Sequence, residues 1–182
     1  KTYTFEEAIA TIDANISRWK DDGGLAKMCI VGVMGAELKT LGEGGAGYAY
    51  ATEAVAGNQG IKATIQLDDI TKTNISTGIT LQHVSSGASA QILAESNNSV
   101  RIQFNHQWGT PIYVTSQIPD GLKEYKDGVC QITAVIKEDR LYVFYDGVQA
   151  GAADLVELLP EYKSGDAVRL GICSWDANLG TS

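Results

Sequence analysis

Along most of the chain, apolar and polar residues alternate with a period of two. Ile61, Ala63, Ile65 and Leu67 fall on one side of an extended segment, and Lys62, Thr64, Gln66 and Asp68 on the other. The same alternation sets Ile79 and Leu81 against Thr80 and Gln82, and Val100, Ile102 and Phe104 against Arg101, Gln103 and Asn105. It continues with Cys130, Ile132, Ala134 and Ile136 against Gln131, Thr133 and Val135, then Leu141, Val143 and Tyr145 against Tyr142, Phe144 and Asp146. Val168, Leu170 and Ile172 close the series. Turn-forming pairs such as Glu138-Asp139, Asp146-Gly147 and Ser164-Gly165-Asp166 separate these runs, and no helical period lies between them. The pattern predicts an all-β fold, an antiparallel β-sandwich.

The first residues read differently. Thr4 and Glu7 have capping-box spacing, and Phe5, Ala8, Ile9, Ile12, Ile16 and Trp19 recur every three or four residues until Asp22-Gly23-Gly24. This predicts a short amphipathic helix from Phe5 to Trp19, although Ile16 to Trp19 also suits the opening of a first strand. The chain therefore divides into a leading segment, 1–24, and a sandwich, 25–182. Within the latter, Met28 to Met34 is an apolar run, Ala36 to Leu41 a partner strand, and Gly42 to Gly47 a turn leading into Tyr48 to Thr52. No Gly-Lys-Ser/Thr closes that glycine-rich run, so it is not read as a phosphate cradle.

Composition narrows the function. With 182 residues, 44% of them apolar, and only 3 Pro, the chain has the makeup of one ordinary globular domain. Its formal charge of -8 is wrong for phosphate backbones, so nucleic acid is not an expected partner. No run of 18 apolar residues is present, so membrane insertion is not expected. Lys1, without Met or a signal pattern, reads as the start of a processed or excised domain. Cys29, Cys130 and Cys173 show no metal or redox spacing, and Cys29 and Cys130 read as small hydrophobes inside strands.

The polar sides of the strands carry the binding chemistry. With Ile61, Ile79, Ile102 and Ile132 facing the core, their opposite sides present Lys62, Thr64, Gln66, Thr80, Gln82, Arg101, Gln103, Asn105, Gln131 and Thr133. Sugars are recognised by planar hydrogen-bonding groups beside an aromatic ring. Gln82, Arg101, Gln103 and Asn105 are the expected hydrogen-bonding residues, with His106 at the end of their strand. Trp108, Tyr113, Trp175 and Tyr142 are candidate stacking rings. His83 and His106 are the only imidazoles, and neither belongs to a nucleophile or metal motif in the sequence.

Six stretches carry a family resemblance. They are Lys62 to Leu67, Thr77 to Gln82, Val100 to Phe104, Ile132 to Ile136, the hairpin Arg140 to Gly147, and Gly165 to Ile172. Their order resembles the laminin G-like, concanavalin A-like jelly rolls of lectins and carbohydrate-binding modules, over about 115 residues from Ile61 to Trp175. The resemblance implies a module that binds a glycan or polysaccharide, beside other domains of a secreted or surface-anchored bacterial polypeptide. A structural or adhesive module is the alternative. It further implies calcium held by loop oxygens, for which Asp176 and Asn178, or Asp68 and Asp69, are candidates. The similar β-glucanases carry Glu-x-Asp-x-x-Glu on one strand, which this chain lacks, so the reading expects no enzyme. The sequence departs from the family at its ends: the leading helix is unusual, and no further strand with a buried Phe follows Ile172.

Overall fold

The computed structural model describes residues 19–24, 27–30, 36–39, 45–51, 54–65, 75–95, 99–105, 112–117 and 130–176. The helix expected before residue 19 lies outside them, as do His106, Trp108 and Asn178. The described strands are β1 (Trp19–Gly24), β2 (Lys27–Ile30), β3 (Ala36–Lys39), β4 (Gly45–Ala51), β5 (Gln59–Ile65) and β6 (Ile75–His83). They continue with β7 (Ser89–Glu95), β8 (Ser99–Asn105), β9 (Ile112–Gln117), β10 (Cys130–Lys137), β11 (Arg140–Tyr145), β12 (Val148–Asp154) and β13 (Val168–Asp176). One short helix, α1 (Leu155–Leu158), follows β12, with the Asp154 carboxylate accepting the Glu157 N–H at its start.

A seven-stranded sheet in the order β1-β4-β13-β6-β7-β8-β9 packs on a four-stranded sheet in the order β12-β11-β10-β5, and β2 pairs with β3. All these pairings are antiparallel. The core between the sheets is built from the apolar halves of the alternation. Ile79, Leu81, Ala90, Ile92, Ile102, Phe104 and Leu170 face Ile132, Ala134, Ile136, Leu141, Val143 and Tyr145, all buried in one cluster. Two turns close the β10-β11-β12 meander. Glu138 and Asp139 (φ 51 and 62) make the first, Asp146 and Gly147 (φ 46 and 82) the second. Paired positive φ angles of this kind match the right-handed twist of adjoining strands.

The structure departs from the sequence reading in several places. Trp19–Gly24, assigned to the leading segment, is the edge strand of the larger sheet and pairs with β4 across an irregularity between Asp21 and Gly24. Gly45, Ala46 and Gly47, expected in a turn, already belong to β4. Strands β7, β9 and β12 were not singled out. The middle of the four-stranded sheet is buried on both sides: Val135, Tyr142 and Phe144 form a second apolar cluster away from the main core, while Lys62, Thr64 and Gln131 on the same side are exposed. Tyr142 is only 3% exposed, which removes it from the candidate stacking rings.

Candidate functional site

The outer side of the seven-stranded sheet is assembled row by row by strand register. One row runs Arg169, Gln82, Ser89, Asn105 across β13, β6, β7 and β8. The next runs Gly171, Thr80, Gln91, Gln103, Tyr113 and reaches β9. A third runs Cys173, Gly78, Leu93, Arg101, Thr115. Alternation within a strand dictates this sorting, because residues two apart share a side. Thr80, Leu93 and Cys173 lie buried in the floor, whereas the longer Gln82, Gln91, Arg101, Gln103, Asn105 and Arg169 are half-buried. Gly78 fits this floor because a Cβ there would stand 2.1 Å from the Ile92 carbonyl oxygen.

Three amides in these rows are wired together. Gln103 Nε2 donates to Asn105 Oδ1 at 2.7 Å, and Asn105 Nδ2 donates to Gln91 Oε1 at 2.8 Å and to Ser89 Oγ at 3.4 Å. Beside them Arg169 Nη2 donates to Gln82 Oε1. The central amide, Asn105, has both its carbonyl and its NH2 engaged. The two ends do not: the bonds leave the Gln91 NH2 and the Gln103 carbonyl as donor and acceptor on a half-open face.

The structure thus brings together Gln82, Arg101, Gln103 and Asn105, and adds Gln91 and Ser89, which the sequence reading missed. Tyr113 stands in register with Gln103 at the neighbouring strand. Trp175 lies two rows along β13 from Gly171, in register with Ser76. His106 and Trp108 follow β8 and lie outside the described residues, as does Asn178; Asp176 is the last residue of β13. Lys62, Thr64, Gln131 and Thr133, grouped with this surface in the sequence, belong to the other sheet, where β5 and β10 pair. They face the opposite side of the sandwich, and Thr133 is buried. Among the described residues no three His, Cys, Asp or Glu side chains gather as a metal cluster. No helix among them is long and apolar enough to cross a membrane.

A second polar network lies at one end of the sandwich, and sequence spacing gave no sign of it. His83, 2% exposed at the end of β6, has Nδ1 2.6 Å from Ser86 Oγ and Nε2 2.9 Å from Asp166 Oδ2. The connectivity Ser-His-Asp is that of a nucleophile relay. Ser86 Oγ, however, also accepts the Ala88 N–H and lies 3.4 Å from the Pro160 carbonyl, which builds it into the β6–β7 turn. Its hydroxyl can donate to a neutral imidazole, or accept from a protonated one while turning to Pro160. Tyr162 sets its ring edge-on to His83 and donates its hydroxyl to Asp139 at 2.7 Å. Asp139 further accepts from Ser164 Oγ and the Gly165 N–H. These bonds fasten the 159–166 loop to a turn of each sheet.

The ionisable groups respond accordingly. Hydrogen bonds from Ser164, Gly165 and Tyr162 hold the Asp139 carboxyl below its ordinary value, and the Lys163 N–H with His83 does the same for Asp166. Burial, and then the bond to Asp139, pushes the Tyr162 phenol up. Burial raises the free Cys130 thiol to about 11 and Cys173 to about 12, so both stay protonated at neutral pH, consistent with small hydrophobes.

No family model and no curated protein sequence matches the chain. Solved structures do match in shape. The carbohydrate-binding module CBM66 from Bacillus subtilis is similar at TM-score 0.56 and 13% identity, over 91% of this chain and 92% of that one. The Crh5 transglycosylase matches at TM-score 0.56 and 14% identity, over 94% of this chain and 69% of its own. The fold is a concanavalin A-like jelly roll. A Bacteroides ovatus GH16 protein solved with a mixed-linkage glucan product shares it at TM-score 0.53 and 10% identity, and this chain spans 62% of its length. These neighbours overturn one expectation. The sequence reading expected no enzyme, yet the same jelly roll carries endo-glucanases and transglycosylases as well as a binding module.

Proposed function

We propose that the outer side of the seven-stranded sheet binds a glycan, through the amides of Gln91, Gln103, Asn105 and Gln82. The observation that carries this reading is the Gln103–Asn105–Gln91 chain, whose ends keep a donor and an acceptor for a ligand. A hydroxyl is both donor and acceptor, so a sugar bridges the two ends as water does, while the inner bonds fix the spacing. Neighbours that bind or act on carbohydrates support the reading at the level of the fold. Tyr113, in register with Gln103, and Trp108, three residues beyond the end of β8, are the proposed stacking rings. The domain would serve beside other domains of an extracellular or cell-surface polypeptide.

The test is a glycan array with the isolated protein, with calcium and with chelator, followed by titration of any hit. Released reducing ends are measured in parallel, because the fold also carries enzymes. Saturable binding to a restricted set of glycans is expected, with Asn105→Ala and Trp108→Ala each weakening it and leaving the melting curve nearly in place. Silence across the array in both conditions, from protein shown to be folded, would sink the reading. Loss of binding in chelator alone would assign a role to calcium, for which Asp176 and Asn178 are the first residues to substitute.

A further inference from the structure

We infer that the glycan bound by this face is neutral and is recognised through pairs of free hydroxyls on adjacent ring carbons. The inference rests on the glycan reading above and goes on to name the sugar chemistry that the amides take. Gln103 of β8 stands directly opposite Gln91 of β7, and Gln82 of β6 stands opposite Ser89, two residues along from Gln91. Three amides therefore sit on three neighbouring strands, spaced about 4.8 Å from one strand to the next. Each engages only one half of its side chain inside the protein. Gln82 and Gln91 accept through Oε1, from Arg169 and Asn105, and Gln103 donates through Nε2 to Asn105. Among the described residues, no hydrogen bond is made to the Gln82 NH2, the Gln91 NH2 or the Gln103 carbonyl.

From β6 to β8, the groups presented are thus donor, donor, acceptor. The Asn105 carboxamide is bonded between the last two amides, so a ligand that meets both ends brings two groups, an acceptor and a donor beside it. Carboxylates and sulfate esters accept only, and would set oxygen against the Gln103 carbonyl oxygen; methylated and acylated hydroxyls fail in the same way. A pair of neighbouring hydroxyls satisfies both ends at once. One oxygen accepts from the Gln91 NH2, and the other donates its proton to the Gln103 carbonyl. Charge is no part of this match. Arg169 is tied to Gln82, Arg101 is likewise engaged within the protein, and a chain of net charge -8 repels a polyanion.

The experiment sets glucomannan, galactomannan and dextran, whose rings keep such pairs, against laminarin, whose linkage takes the middle hydroxyl of each ring and so separates its neighbours. Alginate and polygalacturonate keep the pairs and add charge. Each polymer or array hit that binds is tested again after periodate oxidation and borohydride reduction, which cut the ring between paired hydroxyls without adding charge. Binding is followed by biolayer interferometry at low and high salt. One or more of the three neutral paired polymers should bind at least about tenfold more tightly than laminarin and the polyuronates, with little salt dependence and with loss after periodate. Gln91→Glu keeps the oxygen that Asn105 bonds and replaces the free NH2 by a second oxygen. Affinity for the hit should then fall at least about tenfold, with the melting curve nearly in place. Tighter binding of laminarin or a polyuronate, binding that survives periodate, or unchanged affinity in Gln91→Glu would overturn the inference and leave the glycan reading standing. Binding of none of them, together with a silent array, would overturn both.

Discussion

Two networks of polar side chains run through this molecule, one at the end of the sandwich and one across its larger sheet, and they differ in what they leave unused. At the end, Asp139 accepts three hydrogen bonds, Asp166 takes His83 and the Lys163 N–H, and both ring nitrogens of His83 are engaged. Across the sheet, the amide chain is satisfied in the middle and unsatisfied at both ends. The first network joins parts of the chain 83 residues apart in sequence; the second joins neighbours on two adjacent strands. A saturated network anchored on a buried imidazole at the edge of the core contributes to stability, because removing that ring leaves its partners without their bonds. A half-open one has little stability to lose and groups to offer.

The sharpest break of this comparison is His83→Ala. It opens a cavity at the core's edge and strands Ser86 and Asp166, so a loss of about 2–3 kcal/mol is expected by chemical denaturation. Glycan affinity of the folded variant should stay within about twofold, since His83 faces away from the amides. An unchanged midpoint would mean that the end network is ornamental. Next in size is Asn105→Ala, which separates the other two amides: affinity should fall by about tenfold and stability by less than about 1 kcal/mol. Equal losses of both would erase the distinction between the networks.

The smallest effect is the response to acid. Asp139 and Asp166 both titrate below the ordinary value of 3.8, so their contribution is fully present above that value and is lost as pH falls through the depressed range. Both carboxylates are near solvent, which screens the effect. The melting temperature should therefore hold through neutral and mildly acid pH and decline only below about 4, less steeply in Asp139→Asn. A decline that is equally steep in that variant would place the acid sensitivity in other groups.

Legibility from sequence follows the size of the core residues. Strands β8, β10, β11 and β13 put Val, Ile, Leu or aromatic residues at most of their core positions, and the alternation showed them at once. β7 puts Ala90 and Ala94 into the core and Leu93 on the outer side, while β12 reads Val-Gln-Ala-Gly-Ala-Ala-Asp, so neither has contrast enough to stand out. The site was half legible for a related reason. Alternation tells which residues of one strand share a side, and so Gln103 and Asn105 were found. It does not tell which strands share a sheet, so Lys62 and Thr64 were grouped with them although they lie on the other one. Gln91, the third amide, went unnoticed with its strand. The His83 tie could not be read at all, since Asp166 comes to it only through the pairing of β6 with β13.

That pairing also bears on how the protein is made. β13 follows every other described strand in the chain, yet it lies between β4 and β6 in the middle of the larger sheet. A ribosome releasing this chain delivers β6 to β9 as one ribbon and β10 to β12 as a meander with two-residue turns, both of which can close locally. Until β13 emerges, β4 and β6 each present an unpaired edge, the kind of surface that chaperones capture and aggregates copy. The three amides are in place before that moment, and Arg169 arrives only with the strand that closes the sheet. A nascent chain stalled short of residue 168 would carry the amide half of the site on an open ribbon, without the tie to Asp166.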